Sequence, residues 1–318
     1  MKNYQPANKS NWQGRQSASQ LYLHEKIQIG SFDDLKNIEG KNIAILGYAC
    51  DAGVERNKGR TGALKGPEAI RKMLATLSNH FSEELNLWDF GDMVCESQDL
   101  EMIQEETAKA IANLLNKQLF PLIIGGGHDL AYAHFNGIRQ AHPVAKIGII
   151  NLDAHFDLRP ASVQGNSGTP FWQIAKKEKE FDLNYFCLGI QKESNNRELF
   201  KIAKEYNVQY ILNTAFTLEQ WAIIRKELNS FISNIDFIYL TIDLDGFTSA
   251  LAPGVSAPSP VGFQWEIAAK TIEFICHSEK LISADIVELN PTYDQDNSTA
   301  RLASRIAYLL IQQIDAIK

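Results

Sequence analysis

The sequence has few cysteines, no long apolar run and no excess of basic residues, and each shortage argues against a class of protein. Its four cysteines, Cys50, Cys95, Cys187 and Cys276, are widely spaced without a CxxC pair, which indicates reduced thiols rather than a disulfide framework. No apolar run approaches the length of a membrane span. The 38 acidic residues outnumber the 31 basic ones, giving a net charge of −7, which argues against nucleic acid as partner. With no signal peptide recognised, we expect a cytoplasmic protein.

Nucleotide-binding signatures are also missing. The glycines at 125–127 are not followed by GK[ST], and the chain contains no GxGxxG pattern, so we reject a nucleotide site. There is no low-complexity linker and no repeat, and 318 residues with 45% hydrophobic content can bury one large core. We therefore predict a single catalytic domain over 1–318. Residues 1–40 are polar and irregular, and we expect them to form a mobile or peripheral N-terminal arm.

A short apolar run, a turn and an amphipathic helical pattern recur along the chain. The clearest runs span 42–47, 120–127, 146–153, 184–190, 237–245 and 281–290, and weaker ones span 85–91 and 208–213. The runs are nearly continuously apolar, which favours strands covered on both faces. Helical patterns lie between them, at 68–77, 99–118 and 218–234. This alternation predicts an α/β fold with a mostly parallel sheet and helices on both faces.

Ionisable residues directly follow four of these runs. They are His128 and Asp129, then Asp153, His155 and Asp157, then Asp243 and Asp245, and finally Glu288. In an open α/β sheet, ligands bind at the carboxyl ends of the strands, so we expect these side chains to meet there. Carboxylates that converge at one edge repel one another and lose hydration, so they are either protonated or held by cations.

The residue types at this edge favour cations. Imidazole nitrogen is a good ligand for divalent transition metals. Six candidate ligands are too many for one structural zinc but suit two metals with shared carboxylates: His128, Asp153, His155, Asp157, Asp243 and Asp245. The oxygen-rich set favours Mn²⁺, with Zn²⁺, Co²⁺ or Ni²⁺ left open. Two metals about 3.5 Å apart lower the pKa of a shared water towards about 7, so the predicted chemistry is hydrolysis. Asp129 is expected to orient the ring of His128.

Four segments carry a family resemblance. GGGHDLA, NLDAHFDLR, TIDLDGF and DIVELNP, in this order and spacing, resemble the arginase–agmatinase–formiminoglutamase superfamily of binuclear manganese hydrolases over roughly residues 40 to 315. The resemblance implies a three-layer α/β/α fold, a parallel sheet of about eight strands and two Mn²⁺ per chain. It assigns one metal to His128, Asp153, Asp157 and Asp243 and the other to His155, Asp153, Asp243 and Asp245. Glu288 matches the glutamate that grips the cationic amidine or guanidine of the substrate.

Departures from the common pattern resemble the formiminoglutamase branch of this superfamily. After DLD the chain reads GFTSALAPGVSAP, with Thr248 where arginases and agmatinases usually have an aspartate. The run NSGTPF has Ser167 and Gly168 where arginases place a proton-shuttling histidine. The run GVERNKGRTGALKGPEAIR resembles the loop at the cavity mouth in that branch, with Asn57 and Arg60 in place.

Arg159, two residues beyond the last aspartate of NLDAHFDLR, fits that branch. Arginine forms bidentate pairs with carboxylates, and N-formimino-L-glutamate carries two carboxylates and an amidine. Agmatine has no carboxylate, so an arginine beside its pocket would repel the cation. Arg159 and Arg60 are therefore our candidates for binding the glutamate portion, together with Asn57 and Ser167. A screening role for Arg159 among the aspartates and a structural role for Arg60 stay open.

The predicted reaction is hydrolysis of the amidine C–N bond of N-formimino-L-glutamate, giving L-glutamate and formamide. Glu288 is expected to orient the amidinium, and Asp157 to pass the proton to the departing amine. One alternative is another ureohydrolase, such as arginase, agmatinase or a guanidino-acid hydrolase, which would release urea. Others are a non-catalytic metal-binding relative and a one-metal zinc deacylase. The expected partner is a small-molecule substrate, with neither nucleic acid nor membrane, and a homo-oligomer stays open.

Overall fold

The computed structural model describes residues 1–33, 40–95, 98–161, 163–178 and 183–317. Residues 34–39 of the predicted N-terminal arm lie outside the described residues. Within the part of the chain that is described, no helix combines the length and apolar character needed to cross a membrane.

The described chain contains ten strands joined in one sheet. They are β1 (Tyr4–Gln5), β2 (Gln28–Ile29), β3 (Lys41–Ala49), β4 (Leu85–Val94), β5 (Phe120–Ile124), β6 (Ile147–Leu152), β7 (Asn184–Ile190), β8 (Gln209–Leu212), β9 (Phe237–Asp243) and β10 (Leu281–Val287). All eight apolar runs seen in the sequence form strands, β3 to β10. The sheet has two strands more than the predicted number of about eight. The additional strands, β1 and β2, have two residues each and are too short to leave a hydrophobic pattern.

The α-helices lie between these strands. They are α1 (Leu23–Lys26), α2 (Ala52–Arg56), α3 (Gly66–Ala75), α4 (Leu100–Asn116), α5 (Leu130–Ala141), α6 (Pro170–Lys177), α7 (Arg197–Glu205), α8 (Trp221–Ser233), α9 (Trp265–Cys276) and α10 (Ser298–Ala316). Single 3₁₀ turns span Lys9–Asn11, Ala63–Lys65, Asn213–Ala215, Leu218–Gln220 and Leu244–Gly246. The three predicted helical patterns all form helices, with Pro67 in the first turn of α3, where its missing N–H leaves no bond unmade.

The sheet runs in the order β1-β4-β3-β5-β10-β9-β6-β7-β8, with β2 also beside β4. All neighbours are parallel except β1 and β4. One core packs α3, α8, α9 and α10 against one face of the sheet, and a second packs α4 to α7 against the other. The predicted three-layer α/β/α fold is confirmed.

The N-terminal segment packs onto the sheet edge. Strand β1 pairs with β4, and Leu23 of α1 is fully buried in the core beside α3. Trp12 is 4% exposed, and its indole N–H donates to Asp89 Oδ2 over 2.7 Å. Asp89 also forms a buried ion pair with Arg71 of α3, over 2.8 Å. The described part of the predicted arm is therefore peripheral but anchored, because an indole and a leucine lie among its polar residues.

The four strands in the middle of the sheet, β5, β10, β9 and β6, end beside one another. These are the strands that the ionisable residues follow: His128 comes after β5, Glu288 after β10, Asp245 after β9 and Asp153 after β6. The sheet order therefore brings four segments, distant in sequence, to one edge.

Candidate metal centre

Four predicted ligands meet around the imidazole of His128. Its Nδ1 lies 3.2 Å from Asp153 Oδ2, 3.0 Å from Asp157 Oδ2 and 3.1 Å from Asp243 Oδ2. One donor atom from each of the four residues lies within 4.8 Å of the others, so one metal ion could contact all four. This group matches the first predicted ligand set in full.

A second group lies beside the first. His155 Nδ1 is 3.5 Å from Asp153 Oδ1 and 3.3 Å from Asp245 Oδ2. These three residues also bring their donor atoms within 4.8 Å of one another. Asp153 belongs to both groups, as predicted for a bridging carboxylate. Asp243, the other predicted bridge, falls in the first group alone, and its Oδ1 accepts the backbone N–H of Asp245 over 2.8 Å.

The donor arrangement at His128 fits a cation. Its Nε2 lies 3.0 Å from the hydroxyl of Thr241. With the proton on Nε2, Nδ1 directs a lone pair at three carboxylates. Nδ1 is buried and has no hydrogen-bond partner among the described residues. The lone pair and the carboxylate charges repel one another, and a divalent ion bound between them would remove that repulsion. The mixture of carboxylate oxygen and imidazole nitrogen suits Mn²⁺.

The pKa values in the cluster show how it balances charge without a metal. Burial alone would lower the pKa of His128, but the surrounding carboxylates raise it well above its ordinary value. Burial acts in the same direction on His155, and nearby carboxylates again raise its pKa well above the usual range. Burial, followed by the charges of neighbouring aspartates, raises the pKa of Asp243. The cluster therefore retains protons where metal ions would otherwise neutralise it.

The glycines before His128 allow a backbone conformation that other residues rarely adopt. Gly125 and Gly126 have φ angles of +82° and +79°, in the left-handed region that favours glycine. A Cβ atom on Gly126 would lie 2.4 Å from the carbonyl oxygen of Tyr48, in β3. The turn therefore packs tightly against the neighbouring strand and directs His128 into the centre.

Asp129 does not orient the ring of His128, contrary to the prediction. Its Oδ2 accepts a hydrogen bond from the hydroxyl of Tyr48 over 2.8 Å, while Thr241 contacts the His128 ring. Burial raises the pKa of Asp129 to about 7. Asp129 immediately precedes helix α5, and its side chain points towards Tyr48 of β3 instead of into the metal centre.

Glu288 lies directly after β10 in a strained left-handed conformation, with φ of +67°. Its Oε1 accepts the backbone N–H of His128 over 2.8 Å. Burial, followed by the charge of Asp245, raises the pKa of Glu288 to about 8. Asp157 is similarly left-handed, with φ of +47°. Strained backbone at two predicted catalytic residues is typical of a functional site.

A cavity of about 270 Å³ opens onto the two ligand groups. It is lined by Asn57, Lys58, Gly59, Arg60, His155, Asp157, Arg159, Ser167, Asp243, Asp245, Ser256, Ala257 and Glu288. All four residues predicted to bind substrate line it. The acidic residues come from the strand ends, and the basic ones from the loop after α2 and from the segment after β6.

Three of the predicted substrate residues form a hydrogen-bonded row. Arg159 Nη1 donates to Asn57 Oδ1 over 2.7 Å, and Asn57 Nδ2 donates to the Ser167 hydroxyl over 3.1 Å. A Cβ atom on Gly168 would lie 3.2 Å from Cδ and Nη1 of Arg159. The glycine therefore leaves room for the arginine beside the cavity.

Arg60 also lines the cavity, but its guanidinium is held by the protein. Its Nε donates to the Ser256 carbonyl over 2.9 Å, its Nη2 donates to the Val255 carbonyl over 2.5 Å, and its Cζ lies 4.0 Å from the centre of the Tyr293 ring. Of the two roles left open by the sequence, these contacts favour the structural one. Lys58, by contrast, is exposed and was missed in the sequence, where only its position between Asn57 and Arg60 marks it.

Comparison with known proteins agrees with this geometry. The family model described as the Arginase family matches residues 41–312. A formimidoylglutamase from Clostridium tetani is 41% identical, covering 99% of this chain and 97% of that protein. The structure of a formimidoylglutamase from Bacillus subtilis superposes with a TM-score of 0.84 at 24% identity, over 95% of this chain and 94% of that one, which supports the fold.

A second solved structure contains manganese. Trypanosoma cruzi formiminoglutamase with two Mn²⁺ ions superposes with a TM-score of 0.77 at 26% identity, covering 87% of this chain and 95% of that one. With the matched residues 41–312 spanning β3 to most of α10, we conclude that the chain belongs to the arginase family.

Proposed function

We propose that the protein is a binuclear-manganese hydrolase that converts N-formimino-L-glutamate and water into L-glutamate and formamide. The observation that carries the proposal is one cavity that joins two metal-ligand groups to a buried glutamate and to basic residues. The substrate has the matching features, an amidine beside two carboxylates. Formimidoylglutamases that are about 40% identical over nearly the whole chain support this choice over a urea-releasing activity.

The proposed cofactor is two Mn²⁺ ions per chain. The first would be held by His128, Asp153, Asp157 and Asp243, and the second by His155, Asp153 and Asp245, with Asp243 assigned to both by the resemblance. When bound, the metals supply a water of lowered pKa, and with it a nucleophile at neutral pH.

Glu288 and Asp157 carry the proposed proton and orientation roles. Glu288 is 5% exposed and fixed by the His128 N–H, so in its ionised form it can pair with the amidinium and hold the carbon over the centre. Asp157 reaches both the cavity and the first ligand group, so its free oxygen can deliver a proton to the departing amine.

Arg159, which donates to Asn57, is proposed to bind one substrate carboxylate. The Asn57 amide fixes one side of the guanidinium, which lowers the conformational freedom lost when a carboxylate binds. We also propose one catalytic domain over residues 1–318, supported by helices on both faces of a single sheet. A cytoplasmic setting is supported by four cysteines that are free and buried.

The substrate assignment is tested with Arg159→Ala in Mn²⁺-loaded protein. Loss of a charge-assisted pair with a carboxylate should raise KM for N-formimino-L-glutamate by about tenfold or more. The Mn²⁺ content should stay unchanged, because the Arg159 guanidinium donates to Asn57 and, within the described residues, forms no ion pair with a proposed metal ligand. Release of formamide gives KM, and elemental analysis gives metal content.

Arg301→Ala on the exposed surface of α10 is the matched control, and it should leave KM unchanged. If Arg159→Ala kept the wild-type KM, the assignment of a dicarboxylate substrate would be wrong.

A further inference from the structure

The proposed substrate has two carboxylates, and the structure supplies only one of the two arginines predicted to bind them. The Arg159 guanidinium donates one hydrogen bond, from Nη1 to the amide oxygen of Asn57. Arg60 instead directs Nε and Nη2 to backbone carbonyls and stacks on Tyr293. Two of its five N–H donors are used by the protein, and the Tyr293 ring fixes the plane of the guanidinium, so the group cannot turn freely towards a ligand. The second carboxylate therefore needs another cation in the same cavity.

Lys58 is the remaining basic residue that lines the cavity. It is exposed, and no carboxylate within the described residues forms an ion pair with its ammonium group. An ammonium group offers three rotatable donors on a flexible stem and can reach a ligand in the cavity.

The backbone fixes where the Lys58 side chain leaves the chain. The N–H of Lys58 donates to the Glu55 carbonyl over 2.9 Å, and that of Gly59 donates to the Val54 carbonyl over 2.8 Å. These two bonds form the Schellman motif that ends α2, with Lys58 at its left-handed position, φ +61°. This position favours glycine, yet here it carries a long cationic side chain beside the cavity.

The left-handed conformation does not by itself indicate a function. Gln118 and Asn207 occupy the same position at the ends of α4 and α7, with φ of +60° and +53°, and neither lines the cavity. What distinguishes Lys58 is its place on the cavity wall, its charge and the lack of an ion-pair partner among the described residues.

We propose that Lys58 is a specificity-determining residue that binds one carboxylate of the substrate while Arg159 binds the other. This inference rests on the proposed function. It explains how a cavity whose inner wall is acidic selects a dicarboxylate, because two cations at separate points bind its two carboxylates. A single carboxylate would meet only one of them.

The test uses Lys58→Met, which keeps the length of the side chain and removes its charge. Three substrates are compared with Mn²⁺-loaded protein: N-formimino-L-glutamate and its two monoamides, each with one carboxylate replaced by a carboxamide. We expect Lys58→Met to lower kcat/KM for the diacid at least tenfold, mainly through KM. It should leave kcat/KM nearly unchanged for the monoamide that lacks the carboxylate bound by Lys58, and Arg159→Met should spare the other monoamide.

Two controls accompany these variants. Lys58→Arg should retain most of the activity on the diacid, because it keeps the charge. Gln118→Met, at the same position of the motif that ends α4, should leave all three substrates unaffected.

The outcomes separate this inference from the proposed function. An equal loss on all three substrates would mean that Lys58 acts through its general charge, and no loss on any would mean that it does not contact the substrate; either overturns the inference. The inference would also be overturned if Lys58→Met and Arg159→Met both left kcat/KM unchanged for the same monoamide. If the wild-type protein released no formamide from the diacid, the proposed function would fail, and this inference with it.

Discussion

At the scale of single residues, the centre is a cluster of charges that balance only with cations or with retained protons. Three carboxylate oxygens approach His128 Nδ1 within 3.2 Å without hydrogen-bonding to it. Glu288 lies at the same centre, where its side chain accepts a hydrogen bond from the backbone N–H of His128. The residue proposed to bind the amidine is therefore hydrogen-bonded to the backbone of a residue proposed to bind the metal.

His128→Asn should reduce metal binding and activity together. The asparagine amide is a weaker ligand than imidazole for a divalent transition metal. We expect Mn²⁺ affinity to fall by about 10²-fold or more, with kcat reduced at limiting Mn²⁺. Titration calorimetry with Mn²⁺ measures the first effect, and wild-type metal affinity in the variant would contradict the assignment.

Glu288→Gln should lower catalysis and leave metal binding intact. Glutamine keeps an oxygen that can accept the His128 N–H, but it loses the charge that pairs with an amidinium. The loss should be about 10²-fold in kcat/KM, equivalent to about 2.7 kcal/mol. Initial rates together with the Mn²⁺ content of the variant provide the check. A kcat/KM within twofold of wild type would exclude Glu288 as the amidine partner.

At the scale of elements, the order of the strands builds the centre. The chain makes β5, β6, β9 and β10 in that sequence, yet the sheet places them as β5-β10-β9-β6. The apolar runs predict the strands and the residues at their ends. They do not predict which strands become neighbours, since that depends on how the helices cross over the sheet.

The loop after α2 shows where sequence patterns stop being informative. Arg60 is held by carbonyls of residues 255 and 256, almost two hundred positions away, and nothing local in the sequence predicts that contact. Lys58 was missed for a related reason. Its importance depends on the cavity formed by distant segments, whereas its own pattern, a lysine before glycine, fits any exposed turn.

Replacing Lys58 by glycine should stabilise the fold. The residue lies in the left-handed region with φ of +61°, and glycine removes that strain, for a gain of about 0.5–1 kcal/mol. Gln118→Gly, at φ of +60°, is the matched variant and should stabilise to a similar extent. Thermal unfolding of both variants gives the comparison.

The two glycine variants should differ in kinetics. Lys58→Gly should raise KM for the proposed substrate, and Gln118→Gly should not. Destabilisation by Lys58→Gly would show that the lysine makes a stabilising contact in the folded protein, against its assignment to the substrate.

At the scale of the whole molecule, the helices on both faces hold a single sheet whose middle carries the centre. The three-layer fold and the clustering of the proposed metal ligands could be predicted, because continuous apolar runs and the polar residues at their ends are local features. The edge strands β1 and β2 could not, because two residues are too few to leave a hydrophobic pattern and their partner strand β4 is distant in sequence.

The pH dependence of stability should differ between the metal-free and the Mn²⁺-bound protein. In the metal-free protein the pKa values of His128, His155, Asp243, Asp245 and Glu288 are raised by their surroundings, that of Glu288 to about 8. Each group then binds more protons in the folded state than in the unfolded state, so stability falls as pH rises through the raised values. We expect Tm of the metal-free protein to decrease from pH 6 to pH 9.

With Mn²⁺ present, deprotonated ligands bind the ions more tightly at higher pH, so the decrease should vanish or reverse. At a free Mn²⁺ concentration of about one hundred times Kd, binding adds about 2.7 kcal/mol of stability. Scanning calorimetry from pH 6 to pH 9, with and without Mn²⁺, measures both effects. A metal-free Tm that rose with pH over this range would contradict the assigned charge balance.

The most direct test of the central claim is product identification with a substrate panel. The purified Mn²⁺-loaded protein is offered N-formimino-L-glutamate, arginine, agmatine and guanidinobutyrate, and formamide and urea are measured separately. The account predicts formamide and L-glutamate in equal amounts from the first substrate and little or no urea from the others. Efficient urea release from a guanidino compound, with no formamide from N-formimino-L-glutamate, would contradict it.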